Sequence, residues 1–169
     1  MSYVAKAVQP GSGINESLTM QKITTFLMFK DRAEEAMRFY CSVFKNSKMG
    51  KPMKQGSKVM GGTFTLLGQT FMCYEGGPHF SFTEGMSLFV PCKDQKEVDY
   101  YWEKLTSGGG EESMCGWLKD KFGVSWQIIP DLLMKYIGDK DPAKAKRVVD
   151  AMLQMRKINI ATLKKAYNG

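Results

Sequence analysis

Few residues in this 169-residue chain have the chemistry for catalysis or metal binding: it holds one histidine and four cysteines. His79 follows Gly76-Gly77-Pro78 in a short connection, where an imidazole can serve as a general base or a ligand contact. Tyr74 can hold or donate a proton, and Glu84 stands just before a strand-like run. Tyr74, His79 and Glu84 are therefore the candidates for acid–base work. Cys41, Cys73, Cys92 and Cys115 make no Cys-x-x-Cys pair, and one histidine cannot complete the usual Cys/His zinc site. Cys115 lies beside Gly116 and Trp117 with no histidine nearby, so it reads as a small apolar residue rather than a nucleophile. Unpaired cysteines and the lack of an apolar, basic-headed leader predict a reduced, cytoplasmic protein.

Charge adds little chemistry. The net charge is +7, and residues 131–169 hold nine Lys/Arg against four acids. No aromatic-basic interleaving accompanies this excess, so solvated helix faces are expected rather than a nucleic-acid surface. No run approaches the roughly 20 apolar residues of a membrane span, so no membrane partner is expected.

Residues 1–19 carry Pro10, Gly11 and Gly13 and little periodicity; they read as a flexible arm or leader, with Met20 a plausible start. Residues 23–29 read as a strand. Asp31 then precedes an amphipathic helix, as its cap or dipole partner. Residues 46–56 look polar and turn-rich. Strands are expected at 58–66 and 70–75, joined at Leu67-Gly68-Gln69, and at 86–92. Asp94 caps a second helix that carries Val98, Tyr101, Trp102 and Leu105. Further strands are expected near 113–118 and 124–129. Helices follow from 131, with caps at Asp141-Pro142 and Asn159. Their apolar stripes, over 145–155 and 160–167, need a sheet or a second chain to cover them.

The two halves repeat. Asp31 answers Asp94 at an offset of 63, and the run from Gly68 answers the run from Gly123 at 55. Each unit is strand, helix, then a meander of about three strands. The chain is therefore expected to be α+β: two βαβββ units, 20–77 and 78–130, forming a cupped mixed or antiparallel sheet, with C-terminal helices over 131–169. Strand alternation puts Leu27, Phe29, Phe71, Cys73, Leu88, Val90, Trp126 and Ile128 under the helices. The opposite faces give the expected ligand-binding set: Thr24, Phe26, Met28, Met72, Tyr74, Ser87, Phe89 and Gln127, with Trp117 as a wall. Apolar and aromatic side chains with a few hydroxyls and one amide suit a small organic molecule.

The doubled βαβββ unit resembles the vicinal oxygen chelate superfamily. The stretches DRAEEAMRFYCSVFKNSK, KDQKEVDYYWEKLTSGG and CGWLKDKFGVSWQIIP resemble its PhnB-like family, which is labelled demethylubiquinone methyltransferase. That superfamily pattern places metal ligands at positions occupied here by Thr24, Met72, Ser87 and Gln127. Hydroxyls, a thioether and an amide are poor ligands for Zn, Ni, Mn or Fe, so no metal and no cofactor are expected. A shift by one residue substitutes Thr25, Cys73, Leu88 and Ile128, which make no better site. The methyltransferase label finds no support in the glycine-rich motifs, since Gly108-Gly109-Gly110 follows a helix rather than a first strand. The reading is a metal-free binding protein for a small organic ligand, as a homodimer. An isomerase, lyase or transferase of the same superfamily, or an interaction protein using its basic C-terminal helices, are the alternatives.

Overall fold

The computed structural model describes residues 23–169, so the arm predicted over 1–19 and the start at Met20 lie outside the described residues. Each unit carries its own four-stranded sheet. In the first, β1 (Thr25–Phe29), α1 (Ala33–Val43), β2 (Lys48–Gln55), β3 (Lys58–Leu66) and β4 (Gln69–Glu75) arrange as β1-β4-β3-β2. In the second, β5 (Leu88–Cys92), α2 (Gln95–Thr106), β6 (Glu111–Glu112), β7 (Trp117–Lys119) and β8 (Ser125–Pro130) arrange as β5-β8-β7-β6. The first strand runs parallel to the last in each unit and the rest pair antiparallel. The fold class is α+β with paired βαβββ units, as expected. The sheet is in two parts, which pack through the helices and share one core.

Alternation explains the packing. Leu27, Phe29, Phe71 and Cys73 are buried on one sheet, and Val90, Trp126 and Ile128 on the other, all facing the helices. Ala33, Ala36, Met37, Tyr40 and Val43 form the buried stripe of α1; Val98, Tyr101, Trp102 and Leu105 form that of α2. Rings tie the units together. Phe44 stacks on both Tyr101 and Trp126, at 5.0 and 5.3 Å between centroids. The Tyr40 hydroxyl donates to buried Asp120 at 2.8 Å, which also accepts from Trp126 Nε1 and from the Phe122 and Val124 amides. All four donors are needed there, because an ionised carboxylate out of water is costly.

Three departures from the sequence reading have local causes. Asp94 caps α2 by accepting from the Glu97 amide at 2.9 Å, but Asp31 does not cap α1. The N-cap there is Arg32, in the left-handed region at φ 64° with no side-chain cap; its guanidinium instead grips Glu35 through two 2.7 Å bonds. The polar stretch 48–55 is strand β2 rather than a turn, at a sheet edge where Pro52 is tolerated.

The third concerns the C-terminal helices, α3 (Asp131–Ile137), α4 (Pro142–Met152) and α5 (Ile160–Asn168). They bury Leu133, Val148, Ile158 and Leu163 against one another and Ile129 in a second core. The stripes that suggested a partner chain are thus covered within the chain itself. Asp141 and Asn159 cap α4 and α5 as expected. The module docks through Gln95, whose amide bonds the Ile158 carbonyl and the Ile160 amide, and through Cys115 and Gly116, whose amides donate to Met155 and Arg156 carbonyls at 2.7 Å. No helix among the described residues is long and apolar enough to cross a membrane.

Candidate functional site

The strands leave their other faces open. Phe26 and Phe89 are 45% and 48% exposed, in contrast to the buried Leu27 and Val90 that follow them. Strand register pairs Phe26 with Met72, and Met28 with Tyr74. On the second sheet Gln127 lies between Phe89 and Trp117, and its amide donates to Ser87 Oγ at 2.7 Å.

A slot of about 210 Å³ lies between β1 and the start of β5. Phe26 and Met28 line it from β1, and Ser87 and Leu88 from the second unit. Phe80, Phe82 and Met86, from the connection between units, close one side, with Val124 and Ser125 at the end of the β7–β8 turn. The lining is apolar except for a few hydroxyls. Of the expected ligand-binding residues the slot gathers Phe26, Met28 and Ser87. Thr24 sits half-buried just before β1. Met72 and Tyr74 are half-buried farther across the first sheet. Phe89 borders a different hollow, with Leu67, Gln69 and Phe71.

A second, more polar cavity of about 160 Å³ adjoins Ser125 from the other side. Trp117 walls it, with Glu84, Glu111, Glu112 and Lys119. Glu84 and Lys119 form an ion pair. The hydrogen bond holds the Glu84 carboxyl below its ordinary pKa and the Lys119 ammonium above its own. Glu112 accepts from Trp102 Nε1 at 2.8 Å. Ser125 itself is 2% exposed, and its hydroxyl has no hydrogen-bond partner among the described residues.

Of the acid–base candidates, Glu84 reaches this second cavity; Tyr74 does not, and His79 stands exposed in the turn between the units. Sequence reasoning missed Phe80, Phe82 and Met86, which lie in a connection without periodicity. It also missed Lys119 and Glu111, although alternation from Trp117 places Lys119 on the same face, and register places Glu111 opposite Lys119.

A superfamily metal does not fit these residues. Ser87 and Gln127 are already bonded to each other, and Met72 offers only a thioether. Among the described residues no group of three or more His, Cys, Asp or Glu side chains is placed to hold a metal ion. The one-residue shift fares no better: Cys73 and Ile128 are fully buried under the helices.

The family profile of 3-demethylubiquinone-9 3-methyltransferase matches residues 21–129. A solved structure described as a putative 3-demethylubiquinone-9 3-methyltransferase, PhnB protein, from Bacillus cereus is 41% identical; the match covers 65% of this chain and 99% of that one, with a TM-score of 0.61. Protein PA1353 from Pseudomonas aeruginosa is 19% identical over 66% of this chain and 99% of its own, with a TM-score of 0.51. A glyoxalase/bleomycin resistance protein from Albidiferax ferrireducens T118 is 14% identical over 61% and 92%, with a TM-score of 0.45. No curated protein matches the chain.

Proposed function

The chain belongs to the 3-demethylubiquinone-9 3-methyltransferase family, with a glyoxalase/bleomycin resistance-like fold, and from that premise we propose that it binds a small, largely apolar organic molecule between its two units, without a metal ion. The slot carries this reading. Folding normally hides aromatic and thioether side chains, yet Phe26, Phe80 and Met86 stay 45%, 47% and 59% exposed around one concave site. Few polar groups line it, which suits a ligand oriented by one or two hydrogen bonds. Methyl transfer draws no comparable support. The glycine run at 108–110 ends α2, with the Gly110 amide bonded to the Thr106 carbonyl, and leads into antiparallel β6 and β7. That context is unlike a glycine-rich loop after the first strand of a parallel sheet.

A homodimer is part of the same proposal. Strands β1 and β5 are the outermost strands of their sheets, and Phe26 and Phe89 lie on them. A second copy would cover Phe89, which stays exposed outside the slot. Four free cysteines support a cytoplasmic home.

The test is titration of the protein with the neutral fluorophore N-phenyl-1-naphthylamine, whose emission rises in apolar surroundings. Saturable binding to the native protein, weakened on the order of tenfold by Met86→Glu, is the expected outcome. Elemental analysis of untagged protein purified without chelators should find no stoichiometric transition metal. No saturable binding, or binding indifferent to Met86→Glu, would count against the slot.

A further inference from the structure

We propose that the molecule held between the units carries a basic nitrogen, and that Glu111 and Ser125 select it over an acid of the same shape. This rests on the slot reading above and adds the polar end of the ligand. The apolar slot and the polar cavity share one wall, Ser125. A ligand whose body fills the first and whose head extends past Ser125 enters the second.

Three observations define that head. The first is the Ser125 hydroxyl, buried and without a partner. A hydroxyl in that condition lacks the hydrogen bonds it would make to water, and a ligand group reaching it restores them. Strand parity puts Ser125 on the face of Lys119 and Gln127, which is the face of the polar cavity.

The second is charge. Three carboxylates, Glu84, Glu111 and Glu112, surround the cavity against one ammonium, Lys119. Lys119 is paired with Glu84, and Glu112 is engaged by Trp102. Glu111 is opposite Lys119 in the β6–β7 register, and its charge adds to that of Glu84 in holding the Lys119 ammonium. A carboxylate or phosphate head entering here meets net negative charge, whereas an ammonium is attracted.

The third is Trp117, half-buried in the same wall. An indole face favours a cation and offers an anion nothing. The hydroxyl fits as well: Ser125 Oγ has lone pairs to accept an N–H, while Glu111 supplies the charge.

The experiment compares 3-phenylpropylamine, 3-phenylpropan-1-ol and 3-phenylpropionate as competitors of bound N-phenyl-1-naphthylamine at pH 7. The three share one apolar body and differ only in the head. The amine should displace the fluorophore at a concentration on the order of tenfold lower than the acid, with the alcohol between them. Glu111→Gln should bring amine and acid together. Ser125→Ala should weaken amine and alcohol alike. Urea midpoints of both variants confirm that they fold. Equal displacement by all three, preference for the acid, or an amine preference untouched by Glu111→Gln overturns the inference and leaves the slot reading standing. Absence of fluorophore binding overturns both.

Discussion

At the scale of single residues, Asp120 links the two units. It joins Tyr40 of α1 to Trp126 of β8, and it accepts from four donors. Asp120→Ala strands these donors in the core and should lower unfolding free energy by ~3 kcal/mol or more in urea titration; Tyr40→Phe, which removes one of four donors, should cost ~2 kcal/mol. Burial pushes the Asp120 carboxyl above its ordinary range, the four hydrogen bonds offsetting part of that. A raised folded-state pKa means that the folded protein holds the proton more tightly than the unfolded chain. Its contribution is fully present below the ordinary carboxyl pKa of about 3.9 and is lost as pH rises through the folded value. Wild type should accordingly gain on Asp120→Asn as pH falls towards 4, and a constant difference across that range would contradict the assignment. The cysteines differ in reactivity for a related reason. Burial raises the Cys73 thiol to about 11 and the Cys92 thiol to about 12, and both are fully buried. Iodoacetamide at neutral pH should leave them unmodified in the native protein and label them once urea unfolds it, as read by mass spectrometry.

At the scale of elements, backbone geometry decides two cases. The β3–β4 hairpin turns on Leu67 and Gly68, both at positive φ, 48° and 88°. Gly suits such a turn and Leu does not. Leu67 is also 52% exposed, so Leu67→Asn should raise stability by ~1 kcal/mol, measured as a higher urea midpoint. Gly116 is the reverse case. It sits at φ 84°, and a Cβ there would lie 2.7 Å from Ile129 Cδ1 and 3.1 Å from Ile158 Cγ1. Gly116→Ala should cost ~2 kcal/mol and loosen the C-terminal helices first, seen as faster amide exchange in α5 than in α1. Elements with one buried face were legible in the sequence. The alternation of β1, β4 and β5 sorted Leu27 from Phe26 and Val90 from Phe89 correctly, because one side meets helices and the other does not. Strand β2 was illegible: only Met53 in it is even half-buried, so no hydrophobic period is imposed on it. The connection carrying Phe80, Phe82 and Met86 was illegible for another reason. Its apolar residues line the site without belonging to any periodic element, and only tertiary placement reveals them.

At the scale of the whole molecule, a family core is joined to a helical module. The family profile ends at residue 129, and the second hydrophobic core begins there, with Ile129 packed against Leu133, Val148, Ile158 and Leu163. The helical stripes are therefore satisfied internally, and the proposed dimer depends on the exposed Phe89 face of β5 instead. Light scattering coupled to size exclusion should give twice the 19.1 kDa chain mass, and Phe89→Glu should shift it towards one chain; a wild-type monomer at all concentrations would contradict the dimer. The central claim is occupancy of the slot, and methionine-methyl NMR reads it most directly. Met28 and Met86 line the slot, whereas Met134 is exposed on α3 in the C-terminal module. Titration with N-phenyl-1-naphthylamine should move the Met28 and Met86 resonances together, saturably, and leave Met134 in place. Shifts confined to Met134, or none at Met28 and Met86, would contradict the account.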